Sequence, residues 1–378
     1  MSPFAPRRIL IVRPSALGDA CRTVPAVRTL RRAWPDAEID ILLQDVCLDA
    51  FRHDPDISDV VSFPRSRLRG LAGLVRVPGV VAALRRRLRA RNYDLVFDLQ
   101  GLARSGLLTW ATGAPRRVGF ANAREFGWLG YNRGHVVDRG LHHVDRLLEL
   151  LRREGLEPVH DVTLHVGGDD LEWVDQVLGA GAARAPRHAC LAPTSRWLCK
   201  AWPLDRFTEI GRRLLADGRI DSLVILCGPG ERAYAAPMLE ALVEAAGGPG
   251  RVIMPETTVG RFLALVSRAS LLVCNDSAPL HAGVGFHRPI VAIFGPTDPA
   301  LVGPYRRPEC VVRPAGTAGL GSIGFYRRQK DDQSLISEVP LEAVWQRVCD
   351  ELGTGPAGRD TAPAGAKDFG NPGVSGLG

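Results

Sequence analysis

Several marks of large protein classes are missing from this sequence. None of its eight cysteines (Cys21, Cys47, Cys190, Cys199, Cys227, Cys274, Cys310 and Cys349) stands at C-x-x-C spacing from another, which argues against a zinc site or a thioredoxin-type redox pair. No apolar run approaches the roughly 20 residues of a membrane span. The run Ile9–Val12 that follows Arg7 and Arg8 stops at Arg13, too short for a secretory signal. No sequence repeat at a solenoid period is present. Cysteines such as Cys227 and Cys274 lie inside apolar runs and read as small buried hydrophobes of a reducing compartment. The expectation is a soluble, cytoplasmic protein.

What remains is ordinary globular composition. The chain has 378 residues, 46% of them hydrophobic and 24% charged, enough for two domains, each with a core. Lys and Arg exceed Asp and Glu by 48 − 41 = 7. This mild basicity suits anionic ligands such as nucleotides, phosphates or an anionic membrane surface, and it does not single out nucleic acid.

Short β-branched runs alternate with helical spacing. Strands are expected at 9–12, 39–43, 60–63, 95–99 and 117–120, with helices from Val24, over 80–91, over 102–112 and over 143–154. The pattern restarts with strands at 189–192, 223–227, 252–254, 271–274 and 290–294, separated by helices over 204–215, 232–245 and 259–267 and one beginning near Pro279. A last amphipathic helix covers 341–352. The alternation predicts an α/β protein with mostly parallel sheets covered on both faces. The junction falls within 159–171, giving units 1–166 and 167–353. Residues 355–378 hold seven Gly and three Pro and read as a disordered tail over 354–378.

Several loops after strands carry candidate chemistry. Ser15-Ala16-Leu17-Gly18-Asp19 follows the first strand, where ligand crevices form. On spacing alone, Asp19 serves equally as a helix cap or as a catalytic carboxylate. Pro193-Thr194-Ser195 followed by Lys200-Ala201-Trp202-Pro203 offers two hydroxyls and a lysine to a phosphate. Asn275-Asp276-Ser277-Ala278-Pro279-Leu280-His281 places a helix N-terminus after a buried strand, an anion site. Phe294–Pro299 and Gly228-Pro229-Gly230-Glu231 are turns of similar position. Neither completes the dinucleotide fingerprint, and no Walker A string occurs, which counts against a simple NAD enzyme and a P-loop ATPase. Separately, residues 65–91 hold nine Arg and no acidic residue. Val80, Val81, Leu84 and Leu88 form an apolar stripe that turns Arg85, Arg86, Arg87 and Arg89 outward, as a solvated face or a contact for an anionic lipid or phosphorylated acceptor.

Taken in order, these loops resemble the lipopolysaccharide heptosyltransferases of glycosyltransferase family nine. The resemblance runs from Arg8 to about Tyr305 through Ser15–Asp19, Tyr93–Gly101, Lys200–Pro203, Asn275–His281 and Gly295–Pro299. Asn122-Ala123-Arg124-Glu125 and Tyr131-Asn132-Arg133 look nearest to the first-heptose transferases. The resemblance implies a GT-B fold, two Rossmann-like domains facing across a cleft with a C-terminal helix. It implies an inverting reaction without metal or other cofactor, an ADP-heptose donor, and a lipid A–Kdo glycolipid acceptor met at the cytoplasmic face of the inner membrane.

Carried over, Asp19 matches the catalytic base and Lys200 a second catalytic group. Thr194, Ser195 and Lys200 match donor-phosphate ligands, Glu231 a ribose contact, and Asp276, Ser277, Ala278, Leu280 and His281 the donor loop. Ser15, Gly18, Arg65, Arg67, Arg69 and Arg124 fall on the acceptor side. Three positions depart from the family pattern: Ala278 replaces Gly, Leu280 replaces Met, and Arg22 stands where the first-heptose enzymes carry His. A relative using another nucleotide sugar or acceptor, and a silent nucleotide-sugar-binding protein, remain the alternatives.

Overall fold

The computed structural model describes residues 4–65, 70–179, 187–316 and 330–353, with backbone alone over 70–77. The expected tail, Arg67 and Arg69 lie outside the described residues, as does Gly319–Gly324, a string with the dinucleotide-fingerprint spacing.

Among the described residues the strands form two six-stranded parallel sheets. The first contains β1 (Arg8–Val12), β2 (Glu38–Gln44), β3 (Asp59–Phe63), β4 (Leu95–Asp98), β5 (Arg116–Phe120) and β6 (Arg133–His135), in the order β3-β2-β1-β4-β5-β6. Its helices are α1 (Leu17–Cys21), α2 (Val24–Ala33), α3 (Gly70–Ala90), α4 (Ala103–Ala111) and α5 (His143–Arg153). After α6 (Gly168–Val177), the second sheet contains β7 (His188–Ala192), β8 (Ser222–Ile225), β9 (Val252–Ile253), β10 (Leu271–Asn275), β11 (Ile290–Ile293) and β12 (Val311–Val312), in the order β12-β11-β10-β7-β8-β9. Around it lie α7 (Leu204–Asp217), α8 (Arg232–Ala245), α9 (Val259–Arg268), α10 (Ala278–Gly285), α11 (Pro299–Val302), α12 (Ser334–Ser337) and α13 (Leu341–Gly353).

Both orders are those of a doubly wound sheet, whose crevice opens where the winding reverses, between β1 and β4 and again between β7 and β10. The central strands are apolar throughout because helices cover both faces: Ile9 to Val12 and Leu271 to Cys274 are wholly buried, as a parallel sheet requires. All eight cysteines are free thiols; six are buried, while Cys227 and Cys349 are partly exposed.

The two units share one apolar core. A single cluster joins Ile9, Ala20 and Val24 to Leu263, Leu280 and Ala282. Backbone and side-chain bonds reinforce it. Leu164 N donates to Gly285 O at 2.9 Å, and the Tyr305 hydroxyl donates to Asp145 Oδ1 at 2.6 Å. Arg28 pairs with Asp54 at 2.7 Å and Asp56 at 2.8 Å, and donates to Thr163 O at 2.9 Å, which ties α2 to the segment between the sheets.

Three differences from the sequence expectation have physical reasons. Helix α3 begins ten residues before the expected Val80 and runs through Pro78; a proline inside a helix need only bend it, and Pro78 is exposed. Val81 is exposed rather than part of the apolar stripe, because Leu84 and Leu88, four apart, already define the buried face. Strand β6, Arg-Gly-His, shows no apolar alternation at all. It is held by the buried carboxylate of Glu154, which accepts from Arg116 of β5 and from Arg133 and His135 of β6.

Helix α4 lies directly on the 3-10 turn Gly127–Gly130. A Cβ on Gly106 would overlap the Gly127 carbonyl, and one on Gly130 would overlap the Gly106 carbonyl. Backbone cannot yield as a side-chain tip can. Gly106→Ala should therefore cost about 1–3 kcal/mol, the usual range for overpacking, read as a lower midpoint in urea with an unchanged slope. Wild-type stability in that variant would show that the two segments can move apart freely.

Candidate active site

The Ser15–Asp19 loop leaves β1 at the first reversal point, and α1 starts at once. Asp19 is the third residue of α1, and its Oδ2 accepts the Ala16 N–H at 3.2 Å. Asp19 thus does cap its helix, as one of its two readings expected, and its other oxygen faces charge. Oδ1 pairs with Arg13 at 3.2 Å and with Arg22. Arg13 reaches this place from the end of β1, with its Nη1 donating to Leu99 O. Burial alone would raise the Asp19 carboxyl, but the charges of Arg13 and Arg22 overcome it and hold the group well below the usual carboxylate range. Its ion pairs therefore persist at neutral pH and vanish only as pH falls below that range.

His143, the first residue of α5, stands beside this group; burial, then the Arg22 charge, pushes it down to about 3, so it is neutral at physiological pH. His281 of α10 is likewise driven far down by burial first and Arg22 second.

A cavity of about 490 Å3 opens here. From the first unit it is lined by Arg13, Asp19, Gln100, Arg124, His143 and Arg146, with Arg139 beside them; Thr297 and Asp298 close it from the second. The Gln100 position is set by two contacts. Asp98 Oδ1 accepts the N–H of Gln100 at 2.8 Å and of Gly101 at 3.1 Å, and Gln100 Nε2 donates to Ser15 Oγ at 2.9 Å. Asp98 is itself fixed by the Tyr131 hydroxyl at 2.6 Å, and the ring of Tyr131 fits only because residue 119 is glycine.

Buried donors around the carboxylate are left open. Arg13 Nε, Arg22 Nε and Nη1, and Arg146 Nε have no hydrogen-bond partner. Buried polar groups are normally satisfied, so donors left open beside a cavity are available to a bound anion or to water.

The loops after β7 and β10 form a second cluster. Asn275 is buried and joins them, donating to Pro193 O at 2.8 Å and accepting the Trp202 N–H at 3.0 Å. Lys200 Nζ meets Asp276 Oδ2 at 2.6 Å, and the same oxygen accepts from Thr297 Oγ1 at 2.7 Å. Thr194 Oγ1 donates to Glu231 Oε2 at 2.7 Å, which also accepts the Gly228 N–H at 2.7 Å. Thr297 lines the cavity, so the Lys200–Asp276 pair abuts the Asp19 site through one side chain.

The expected residues thus divide. Asp19 and Arg124 share the cavity, and Ser15 supports it through Gln100. Thr194 with Glu231, and Lys200 with Asp276, stand in the second cluster, with Ser195 and Ser277 on the same loops. Gly18 faces away from the cavity; a Cβ there would lie 2.8 Å from the His281 ring and 3.4 Å from Ala278 Cα. Leu280 is wholly buried in the shared core. Arg65 sits apart, 3.3 Å from Gln44 Oε1. Gln100, Arg139, His143, Arg146 and Thr297 went unselected. Their signal was position, since Gln100 and Thr297 follow the strands next to β1 and β10, and His143 opens a helix.

The profile of glycosyltransferase family 9 (heptosyltransferase) matches residues 81–317, more than half of the sequence. The chain belongs to glycosyltransferase family 9. Lipopolysaccharide heptosyltransferase 2 of Escherichia coli K12 is 25% identical over 91% of this chain and 97% of its own length. Lipopolysaccharide heptosyltransferase 1 of Pseudomonas aeruginosa is 27% identical over 80% and 82%. Among solved structures, a family 9 glycosyltransferase of Veillonella parvula aligns with a TM-score of 0.75 at 21% identity, covering 92% of this chain and 97% of its own. E. coli heptosyltransferase WaaC with ADP-2-deoxy-2-fluoro heptose aligns at 0.70 and 24%, covering 91% and 99%. The fold of this glycosyltransferase is GT-B.

The charge state of the site is directly testable. Arg22→Gln removes a cation from Asp19, so the carboxyl should titrate at higher pH, by about one to three pH units for an opposite charge at this range. Carbon-13 NMR of the labelled Asp19 carboxyl would measure it. An unchanged midpoint would mean that Arg22 does not hold the carboxylate.

Proposed function

We propose that this family 9 enzyme transfers heptose from ADP-heptose to the Kdo–lipid A inner core of lipopolysaccharide, with inversion and without a metal ion. The observation that carries the acceptor assignment is the set of partnerless guanidinium donors of Arg13, Arg22 and Arg146 around Asp19. They suit an acceptor rich in carboxylate or phosphate oxygens. The donor assignment is supported by relatives named lipopolysaccharide heptosyltransferases and by a solved homologue holding an ADP-heptose analogue.

In this reading Asp19 takes the proton of the acceptor hydroxyl as the new glycosidic C–O bond forms. The bond from the anomeric carbon to the diphosphate breaks on the opposite face, and ADP leaves with the electron pair. One displacement inverts the centre. Lys200 and the N–H groups at the start of α10 meet the charge growing on the diphosphate. Asp276 and Thr297 orient Lys200. Thr194 and Ser195 add hydroxyl contacts, and Glu231 takes the ribose. Ser277, Ala278 and His281 approach the donor through the loop backbone, and Leu280 only supports the loop. Arg124 contacts the acceptor.

A carboxylate held this low is a weak base. It can accept the proton only as the hydroxyl becomes acidic, late in bond formation. The surrounding arginines then act on the anionic acceptor as well as on Asp19.

The acceptor is a membrane glycolipid, so the enzyme works at the cytoplasmic face of the inner membrane, with the Arg-rich face of α3 toward anionic lipid. No helix among the described residues is long and apolar enough to cross a membrane. We set the unit boundary at residues 166 and 167.

Asp19→Asn should bind ADP normally yet lose about 10²–10⁴-fold in kcat, the range for a general base. Turnover near wild type would remove Asp19 from the role. Lys200→Gln keeps a donor toward Asp276 but drops the charge, so donor affinity and kcat should fall together. If calorimetry and kinetics both match wild type, the diphosphate lies elsewhere. Excess EDTA should leave wild-type transfer unchanged; loss that Mg²⁺ restores would contradict the metal-free assignment.

A further inference from the structure

Apolar side chains are exposed together on the first unit. Ala103, Leu107 and Trp110 form one stripe along α4, at four- and three-residue intervals, and all three face solvent. Phe126, Trp128 and Leu129 project from the turn packed against that helix. Exposure of the large side chains runs from 46% for Trp128 to 72% for Phe126.

The packing explains why they are outside. Helix and turn meet through Gly106, Gly127 and Gly130, backbone on backbone. The closest approach is thus between backbones, and the bulky side chains of both segments stay exposed around it. Glu125 and Phe126 both adopt left-handed backbone, with φ of 56° and 58°, an unfavourable conformation for residues other than glycine. An apolar ring is thus held in water by a backbone that an ordinary turn would not adopt.

Cations border this patch. The Arg85 guanidinium of α3 sits 5.5 Å from the centre of the Trp110 ring. A Cβ on Gly113, just past α4, would lie 3.6 Å from Arg89 Nε. Arg85, Arg86 and Arg89 are exposed. Glu125 is the acidic residue within the patch itself. On its other side the patch reaches the cavity, since Leu102, Ala123 and Arg124 line it and immediately precede the apolar residues in sequence.

We infer that Leu107, Trp110, Phe126, Trp128 and Leu129 insert into the interfacial layer of an anionic bilayer leaflet, with Arg85, Arg86 and Arg89 on the phosphate groups around them. Tryptophan and phenylalanine beside arginine have the composition of a membrane-surface contact, in which apolar burial and charge attraction add. The charge complementarity favours lipid over a second copy of this basic surface. The location brings the leaflet to the cavity mouth, and in that respect the inference rests on the proposed lipid acceptor. It goes beyond the arginine contact by assigning an inserted apolar element that salt does not screen.

The test uses the full chain and vesicles of phosphatidylethanolamine with about one third phosphatidylglycerol. Sedimentation at low and high salt separates the two contributions, because salt weakens only the electrostatic one. Wild type should bind strongly at low salt and keep partial binding at high salt. Phe126→Ser/Trp128→Ser/Leu129→Ser should bind at low salt and be released completely at high salt. Arg85→Glu/Arg86→Glu/Arg89→Glu should lose most low-salt binding. All three proteins should retain wild-type turnover on a delipidated, soluble acceptor, which shows that they fold. The serine variant should also raise the apparent KM for acceptor in vesicles about tenfold, the loss expected from removing large apolar groups. Its KM for the nucleotide sugar should stay the same.

Salt-resistant binding that survives in the serine variant overturns the inference. So does a concentration-dependent dimer in wild type that the serine variant abolishes, since the patch would then join two copies. Vesicle binding as described without transfer to any Kdo–lipid A acceptor would defeat the proposed function and leave the patch standing. Transfer without vesicle binding would do the reverse.

Discussion

The site depends on one close approach, that of Gly18 in α1 to His281 in α10. Both helices begin at reversal points of their sheets, where strand ends leave a crevice. Packing one on the other makes a single cleft out of two crevices. The fit leaves no room for a side chain at residue 18. It also puts the next residue, Asp19, beside the second unit while its carboxylate stays on the first. His281 is buried and neutral there, so the contact brings the units together without adding a cation to a neighbourhood already holding Arg13 and Arg22. The shared apolar core around Ala20 and Leu280 holds the approach in place.

Electrostatics then separates the two sides of the cleft. Around Asp19 the guanidinium groups outnumber the carboxylate, and several of their N–H groups are unmatched. In the second cluster the polar groups are matched: Lys200 pairs with Asp276, and the Glu231 carboxylate accepts from Thr194 and from the Gly228 N–H. An unmatched buried cation is costly and is tolerated where a ligand completes it. A matched pair instead fixes geometry. The first unit therefore presents a field and the second presents positioned groups, although their strand orders are the same. Chemistry sits in the loops, and the sheet supplies only the place.

Much of this was legible in the sequence. Most strands of the two sheets carry short apolar runs that end near Gly, Pro, Asn or Asp, and their alternation with helical spacing was enough for two parallel sheets. The loops after β1, β7 and β10 stood out because their polar residues follow buried strands directly. What was not legible depends on contacts between distant segments. Strand β6 exists because Glu154, some 20 residues on, binds Arg133 and His135. The Tyr131-Asn132-Arg133 string stood out only by its likeness to the first-heptose transferases. It proves to be scaffolding: Tyr131 braces Asp98, and Asn132 binds Arg117 N and Pro115 O. Conversely, Arg139 and Arg146 carry no local pattern distinguishing them from surface residues, and only the packing of α5 on α2, with the segment that leads into α5, brings them to the Asp19 cavity.

Leu280 and Gly18 show a further limit. Both lie within motifs, and a motif read along the chain does not tell which of its residues face a ligand and which hold the loop. In α10, the buried side of one turn takes Leu280 and His281, while Ser277 and Ala278 stay partly exposed at the helix start. In α1, Gly18 and Ala20 pack inward and Asp19, between them, faces out. Alternation of role within a short string follows from the 100° step of a helix. It requires a motif of this kind to be long, because each ligand-facing residue needs an inward neighbour to hold it. That is why the loops after β1 and β10 span five and seven residues although only one or two in each carry charge.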